Sequence, residues 1–186
     1  LDAAEALGIV LQVARALTAA ERQGVVHRDI KPSNVLLSRT GDAKLCDFGL
    51  AKRPRTQSSA DGSVTRVGAV FGSPSFMAPE QIRDPRRVDI RADIYALGLT
   101  LYYALTGRRP FQGASAEDLL SKQQHQALAD PRRVNRTVNA QLAAVIRRMT
   151  EKEPERRYQT APETVEALRS VTQLPSRRRT RAVVMG

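Results

Sequence analysis

Residues 90–106, IRADIYALGLTLYYALT, are apolar on most sides of a helical wheel. A helix of that kind needs partners all round, because no face of it is suited to water. The pattern predicts a buried central helix over Ile90–Thr106, closed by Gly107 at the position where a left-handed cap ends many helices. The remaining elements must be arranged around it.

Helical spacing recurs elsewhere. Leu7, Val10, Leu11, Ala14 and Leu17 repeat at that period, and Gly24 stands where such a helix would stop, giving a first helix from near Asp2 to Gln23. A shorter helix begins at Ser115, which has capping-box spacing with Asp118. Residues 141–149 form another. A last one starts at Thr160, with Pro162 in its first turn and Glu163 placed to complete a capping box. Residues 35–37 and 44–46 read as short strands around the turn Arg39-Thr40-Gly41-Asp42. Residues 50–72 are polar and aperiodic, and a loop that long inside a compact domain is usually functional. The predicted class is mainly α with a small β-hairpin region.

With 186 residues there is room for one domain, and with 4% aromatics and no Trp its core must be built mainly from Leu, Val, Ile and Ala. The net charge of +11 comes from Arg residues scattered in pairs, such as Arg86–Arg87, Arg132–Arg133 and Arg147–Arg148. No aromatics are interleaved for base stacking, so the charge reads as a solvated surface and nucleic acid is not an expected partner. The lone Cys46 excludes an intrachain disulfide framework, fits a reducing cytoplasm, and reads as a small buried apolar residue. No signal peptide and no membrane-length apolar run is expected. The segment Gly68-Ala69-Val70-Phe71-Gly72 lacks the Lys-Ser/Thr pair of a phosphate loop.

The chemistry is concentrated in His27-Arg28-Asp29-Ile30-Lys31-Pro32-Ser33-Asn34, between the first helix and the first strand. One loop there carries an acid, a cation and an amide. Such a set suits phosphoryl transfer: a carboxylate to orient a hydroxyl, an ammonium to meet phosphate charge, and an amide oxygen for a metal. Beyond the hairpin, Asp47-Phe48-Gly49 supplies a second metal-ligand carboxylate.

Together, in this order and spacing, the two motifs resemble the catalytic loop and metal-binding motif of protein kinases. The resemblance continues through Gly72-Ser73-Pro74-Ser75-Phe76-Met77-Ala78-Pro79-Glu80, Asp93-Ile94-Tyr95-Ala96-Leu97-Gly98, Leu105-Thr106-Gly107-Arg108-Arg109-Pro110-Phe111 and Pro154-Glu155-Arg156-Arg157-Tyr158. It covers about Leu1 to Leu174 and is nearest to bacterial membrane-associated serine/threonine kinases of the eukaryotic-like type. It implies a kinase C-terminal lobe over 1–174, which would be α+β in a complete kinase, and a basic tail over 175–186.

Roles follow by motif. The resemblance implies Asp29 as catalytic base, Lys31 as the cation facing the transferring phosphoryl group, and Asn34 and Asp47 as ligands of magnesium that bridges ATP. Arg28 implies activation by phosphorylation of the long loop, with Ser63 and Thr65 first among Thr56, Ser58, Ser59, Ser63 and Thr65. Ser73 matches the hydroxyl residue that helps select Ser/Thr substrates. Glu80 and Arg157 would form a buried ion pair, Asp93 would accept hydrogen bonds from the catalytic-loop backbone, and His27 and Phe48 would stack in the core.

The family's glycine-rich loop, strand Lys and helix Glu would lie upstream in an N-terminal lobe that this sequence lacks. Two readings follow. The chain is the catalytic-loop half of an active kinase acting on protein Ser/Thr, with a homodimer for trans-autophosphorylation, or it is a non-catalytic scaffold or pseudokinase. At the other end, Arg177, Arg178, Arg179 and Arg181 run into Ala182-Val183-Val184-Met185, as a cytoplasmic flank meets a membrane anchor. That places the domain in the cytoplasm, at the inner face of the plasma membrane if the anchor follows.

Overall fold

One helix, Ile90–Thr106, is almost wholly buried among the described residues; Ile94, Leu97, Leu99 and Leu101 on it have no exposed surface. The computed structural model describes residues 1–48 and 74–172. Among them, in chain order, lie α1 (Ala3–Arg22), β1 (Val35–Leu37), β2 (Ala43–Leu45), α2 (Pro79–Arg83), α3 (Ile90–Thr106), α4 (Ala116–His125), α5 (Ala140–Met149) and α6 (Ala161–Thr172). The fold is mainly helical with one small antiparallel sheet, as the periodicity predicts.

The core is mainly aliphatic, with Tyr95, Tyr102, Phe111 and Tyr158 buried among the Leu, Val, Ile and Ala residues. Val10, Val13, Ala14 and Leu17 of α1 meet Leu97 and Leu101 of α3, Leu142 and Ile146 of α5, and Val165 and Leu168 of α6 in one cluster. Burying each such Leu, Ile or Val contributes about 1.5–3 kcal/mol. Side-chain caps open three of the helices, of which the sequence reading named that at Ser115. Asp2 accepts the Glu5 N–H at 2.7 Å, Ser115 that of Asp118 at 3.1 Å, and Asn139 that of Leu142 at 2.7 Å. Gly107 takes φ +65° and closes α3.

The end of α5 comes close enough to α3 that one position tolerates only hydrogen. A Cβ on Gly98 would lie 2.8 Å from both Met149 Cβ and Thr150 Cγ2. That approach is what the Gly in the 93–98 motif provides.

The hairpin is small but pinned. Val35 pairs with Leu45, Leu36 with Lys44 and Leu37 with Ala43. Gln12 of α1 braces its far end, donating to the Gly41 carbonyl at 3.1 Å and accepting the Ala43 N–H at 2.9 Å. A two-stranded hairpin is marginal by itself, and this bracing against a helix supplies what it lacks.

Four details differ from the sequence reading. The second strand is Ala43–Leu45, one residue earlier, because its register is set by the pairing of Leu45 with Val35. The last helix starts at Ala161, and Glu163 Oε2 reaches the Gln159 N–H at 2.8 Å, while Thr160 Oγ1 accepts from the Glu163 N–H at 3.2 Å. Cys46 is only partly buried among the described residues. The first helix, with mean hydropathy 1.4 over a membrane-length window, is long and apolar enough to pass a test for a membrane span. Its apolar face packs against α3 and α6.

Three of the arginines are engaged locally. In Asp84-Pro85-Arg86, Asp89-Ile90-Arg91 and Asp130-Pro131-Arg132, the carboxylate accepts both the backbone N–H and the Nε–H of the Arg two residues on. Asp130 is held down to about 2, first by the Arg132 side-chain hydrogen bond. The activation-loop candidates Thr56, Ser58, Ser59, Ser63 and Thr65, the candidate substrate-selecting residue Ser73 and the tail 175–186 lie outside the described residues.

Replacing Gly98 by Ala is expected to lower stability by about 1–3 kcal/mol, since backbone and Cβ atoms must give way. Urea unfolding of parent and variant measures it; an unchanged midpoint would show that α5 can shift freely.

Candidate active site

The loop between α1 and β1 crosses the N-terminal end of α3, where Asp93 sits 1% exposed in the first turn. Its Oδ2 accepts the N–H of His27 and its Oδ1 the N–H of Arg28, both at 2.7 Å. Burial pushes this carboxyl up to about 6, against the two hydrogen bonds that favour its ionised form. Near neutral pH it is ionised and receives both donors.

Arg28 adopts φ +68°, a left-handed conformation that costs a non-glycine residue about 1–2 kcal/mol. After this turn the Asp29 side chain meets Lys31 and Asn34 rather than Asp93. His27 stays behind with no exposed surface. Its Nε2 bonds the Cys46 carbonyl at 2.8 Å and its Nδ1 accepts the Asp29 N–H at 3.3 Å. A carbonyl only accepts and an amide N–H only donates, so the ring proton is on Nε2. That leaves His27 a brace between the two motifs rather than a base. Phe48 meets the imidazole edge-on at 4.8 Å between centroids; it is 41% exposed, so the pair is not a fully buried stack.

From Asp29 the chain doubles back. Pro32 opens a single 3-10 turn, Pro32–Asn34, with its φ already suited to helix. The turn returns Asn34, which is buried, to its starting point: its Nδ2 donates to the Asp29 carbonyl at 2.7 Å and lies 3.3 Å from Asp29 Oδ2. Lys31 Nζ reaches the same Oδ2 at 2.8 Å, both side chains being about a quarter exposed. Acid, cation and amide therefore form one cluster.

Asp47 joins through the hairpin register. The Cys46 N–H donates to the Asn34 carbonyl at 3.0 Å, extending the ladder one pair beyond Val35 and Leu45. Asp47 follows at φ +63°, a conformation that Asp tolerates better than most residues. Partial burial and then the Asp47 carboxylate push the Cys46 thiol above its ordinary value, the opposite of what a nucleophile needs.

A second layer holds the segment entering α2. Arg157, fully buried, forks onto Glu80 at 2.6 and 2.8 Å. Its remaining donors go to the carbonyls of Glu151, Arg91 and Lys152, so all five N–H groups are used. The guanidinium lies 4.8 Å over the Tyr95 ring.

Sequence reasoning missed three residues in this layer. Gln81 accepts the Ala78 N–H at 3.0 Å and donates to the Arg28 carbonyl at 2.9 Å. Gln123 donates to the Met77 carbonyl at 3.0 Å. Lys152 Nζ donates to the Gln123 carbonyl at 2.6 Å and to the Tyr95 hydroxyl at 2.9 Å; burial, then the Arg157 charge, brings it down to about 8. A Gln or Lys in a polar stretch has no sequence signature for burial. Only the nearness of Gln81 to Glu80 and of Lys152 to Pro154 could have raised attention; Gln123 carried no such signal.

A protein kinase domain model matches residues 1–168. The chain belongs to the protein kinase family. It is 34% identical over 171 residues to a probable serine/threonine-protein kinase of Clostridium perfringens, covering 92% of this chain and 24% of that protein. It is 37% identical over 158 residues to serine/threonine-protein kinase PknB of Mycobacterium tuberculosis, covering 85% of this chain and 25% of that one. PknB of Mycobacterium leprae is 38% identical over 160 residues, 86% of this chain and 25% of the relative. The chain thus spans about a quarter of the length of the curated relatives it matches.

Two outcomes follow from the kinase architecture of this layer. Glu80→Ala leaves a buried guanidinium without its counter-ion and is expected to cost about 3–5 kcal/mol by chemical denaturation; a loss within experimental error would mean that the three carbonyls suffice. Asp93 has its folded-state value raised from 3.8 to about 6, so the folded protein binds more protons than the unfolded one in that interval. Its titration therefore favours folding most below about pH 4, and that contribution is lost as pH rises to about 6. The stability gap between parent and Asp93→Asn should move against the parent over that window; a pH-independent gap would contradict the assignment.

Proposed function

We propose that this chain is the catalytic-loop and substrate-binding half of a kinase that transfers the γ-phosphoryl group of ATP to Ser or Thr hydroxyls of proteins. The observation that carries the reading is the single cluster of Asp29, Lys31 and Asn34, with Asp47 one residue beyond the pair Asn34–Cys46. The names of the relatives support the serine/threonine class.

Asp29 is the base: its carboxylate orients the substrate hydroxyl and takes its proton late, a contribution that is mainly positional. Lys31, already within 2.8 Å of that carboxylate, is the cation that meets charge on the transferring group. The donor set fits magnesium. The amide nitrogen of Asn34 is turned to the Asp29 carbonyl, leaving the amide oxygen as its ligand atom, and Asp47 adds a carboxylate. Among the described residues no group of three or more His, Cys, Asp or Glu gathers, and two protein oxygens suit an ion that keeps water and substrate phosphates as its other ligands. Magnesium supplies neutralisation of phosphate charge when bound.

Arg28, Ser63 and Thr65 carry the regulatory part of the reading, in which a phosphorylated loop residue pairs with Arg28, and Ser73 carries the hydroxyl selectivity. Trans-phosphorylation between two copies, an N-terminal lobe completing the ATP site, and a membrane anchor beyond the Arg177–Arg181 cluster belong to the same proposal. In this reading the domain is cytoplasmic, and the anchor would hold it at the inner face of the membrane.

The complete gene product with magnesium and ATP is expected to gain phosphate by intact mass, and Asp29→Asn to reduce the rate by at least about a hundredfold while staying folded. A folded parent that neither labels itself nor phosphorylates a basic Ser/Thr peptide would favour the scaffold reading instead.

A further inference from the structure

Three successive peptide planes aim Asp29, and they are held from different sides. The N–H of the Val26–His27 peptide and that of the His27–Arg28 peptide both go to Asp93 on α3. The third plane, Arg28–Asp29, is out of reach of Asp93. Its N–H meets His27 Nδ1 at a long 3.3 Å, and its carbonyl receives Gln81 Nε2 at 2.9 Å. Gln81 in turn is fixed by its Oε1, which accepts the Ala78 N–H at 3.0 Å. Its one amide thus bridges the backbone of the Ala78-Pro79-Glu80 segment to the backbone immediately before Asp29.

The plane matters because Arg28 is at φ +68°, outside the broad wells that hold a backbone without help. With the N–H of Arg28 pinned and its carbonyl released, rotation about ψ of Arg28 would swing the next peptide and carry Asp29 with it. We infer that Gln81 is a positioning residue, whose amide sets the Arg28–Asp29 peptide and makes the aim of Asp29 depend on where the segment ending at Glu80 sits. The inference rests on Asp29 acting in phosphoryl transfer, as proposed above, and adds a route by which the end of the long loop bears on the catalytic carboxylate. Glu80 anchors that segment rigidly to Arg157 one residue away, so Gln81 is held from behind while it reaches forward.

The substitution Gln81→Glu separates the two halves of the bridge. A carboxylate still accepts the Ala78 N–H but sets an oxygen against the Arg28 carbonyl. In the complete gene product, with a Ser/Thr peptide and magnesium-ATP, kcat is expected to fall about tenfold to a hundredfold with KM for ATP within about twofold. Protonation of the new carboxyl restores a donor, so the ratio of variant to parent kcat should rise as pH is lowered from about 8 to about 5.5. A purely structural residue would not produce that profile. Residue-resolved amide exchange provides a second readout, independent of activity. The Asp29 amide is expected to exchange at least about tenfold faster in the variant, while the His27 and Arg28 amides, held by Asp93, are unchanged. A kcat within twofold of the parent, a pH-independent ratio, or Asp29 exchange equal to the parent's would overturn the proposal. A folded parent without kinase activity defeats the kinase reading separately, and the exchange measurement then decides alone whether Gln81 sets this peptide.

Discussion

A carboxylate in the interior of a helical domain is costly to desolvate, and Asp93 is 1% exposed. What offsets the cost is that both of its oxygens receive backbone N–H groups from consecutive residues of a distant loop, at 2.7 Å each. The loop has no regular secondary structure there to satisfy those N–H groups, so carboxylate and loop each solve the other's problem. The rest of the site depends on that exchange. It allows the left-handed turn at Arg28, separates His27 into the interior from Asp29 at the surface, and starts the reversal that ends with Asn34 beside Asp29.

The hairpin then carries the site across to its second half. Pairing of Asn34 with Cys46 is one more rung on a three-rung ladder, yet it puts the two motifs at a fixed offset. Register errors in a strand flip every side chain, so even a short ladder must be pinned. Gln12 at one end and His27 at the other do this, one from α1 and one from beneath the loop.

Behind the loop from His27 to Asn34, Arg157 and Glu80 hold α2 to the segment before α6. A buried ion pair of this kind is weak evidence for stability, because desolvation consumes most of the attraction. Its consequence here is geometric. Five donors with five acceptors in fixed directions leave the guanidinium one arrangement, and it lies against Tyr95 on the central helix. Gln81 and Ala78 inherit that placement, as does Met77 through Gln123 and Lys152.

The sequence alone determined the elements whose cause is local. The all-round apolar run of α3 with Gly107, the caps Asp2 and Ser115, and the turn around Gly41 are written in periodicity and backbone preference. So are the residue types of the loop from His27 to Asn34, because phosphoryl-transfer chemistry uses few side chains and their spacing is distinctive. Tertiary structure decided what depends on two distant segments meeting. Nothing local marks Gln81, Gln12 or Lys152 as donors to a distant segment, since the same residues on a polar stretch are ordinarily solvated. The one-residue shift of the second strand was likewise set by its partner rather than by its own alternation. Periodicity reports which face of an element is apolar; it does not report which carbonyl of another element a polar side chain will find there, because that depends on how the elements pack.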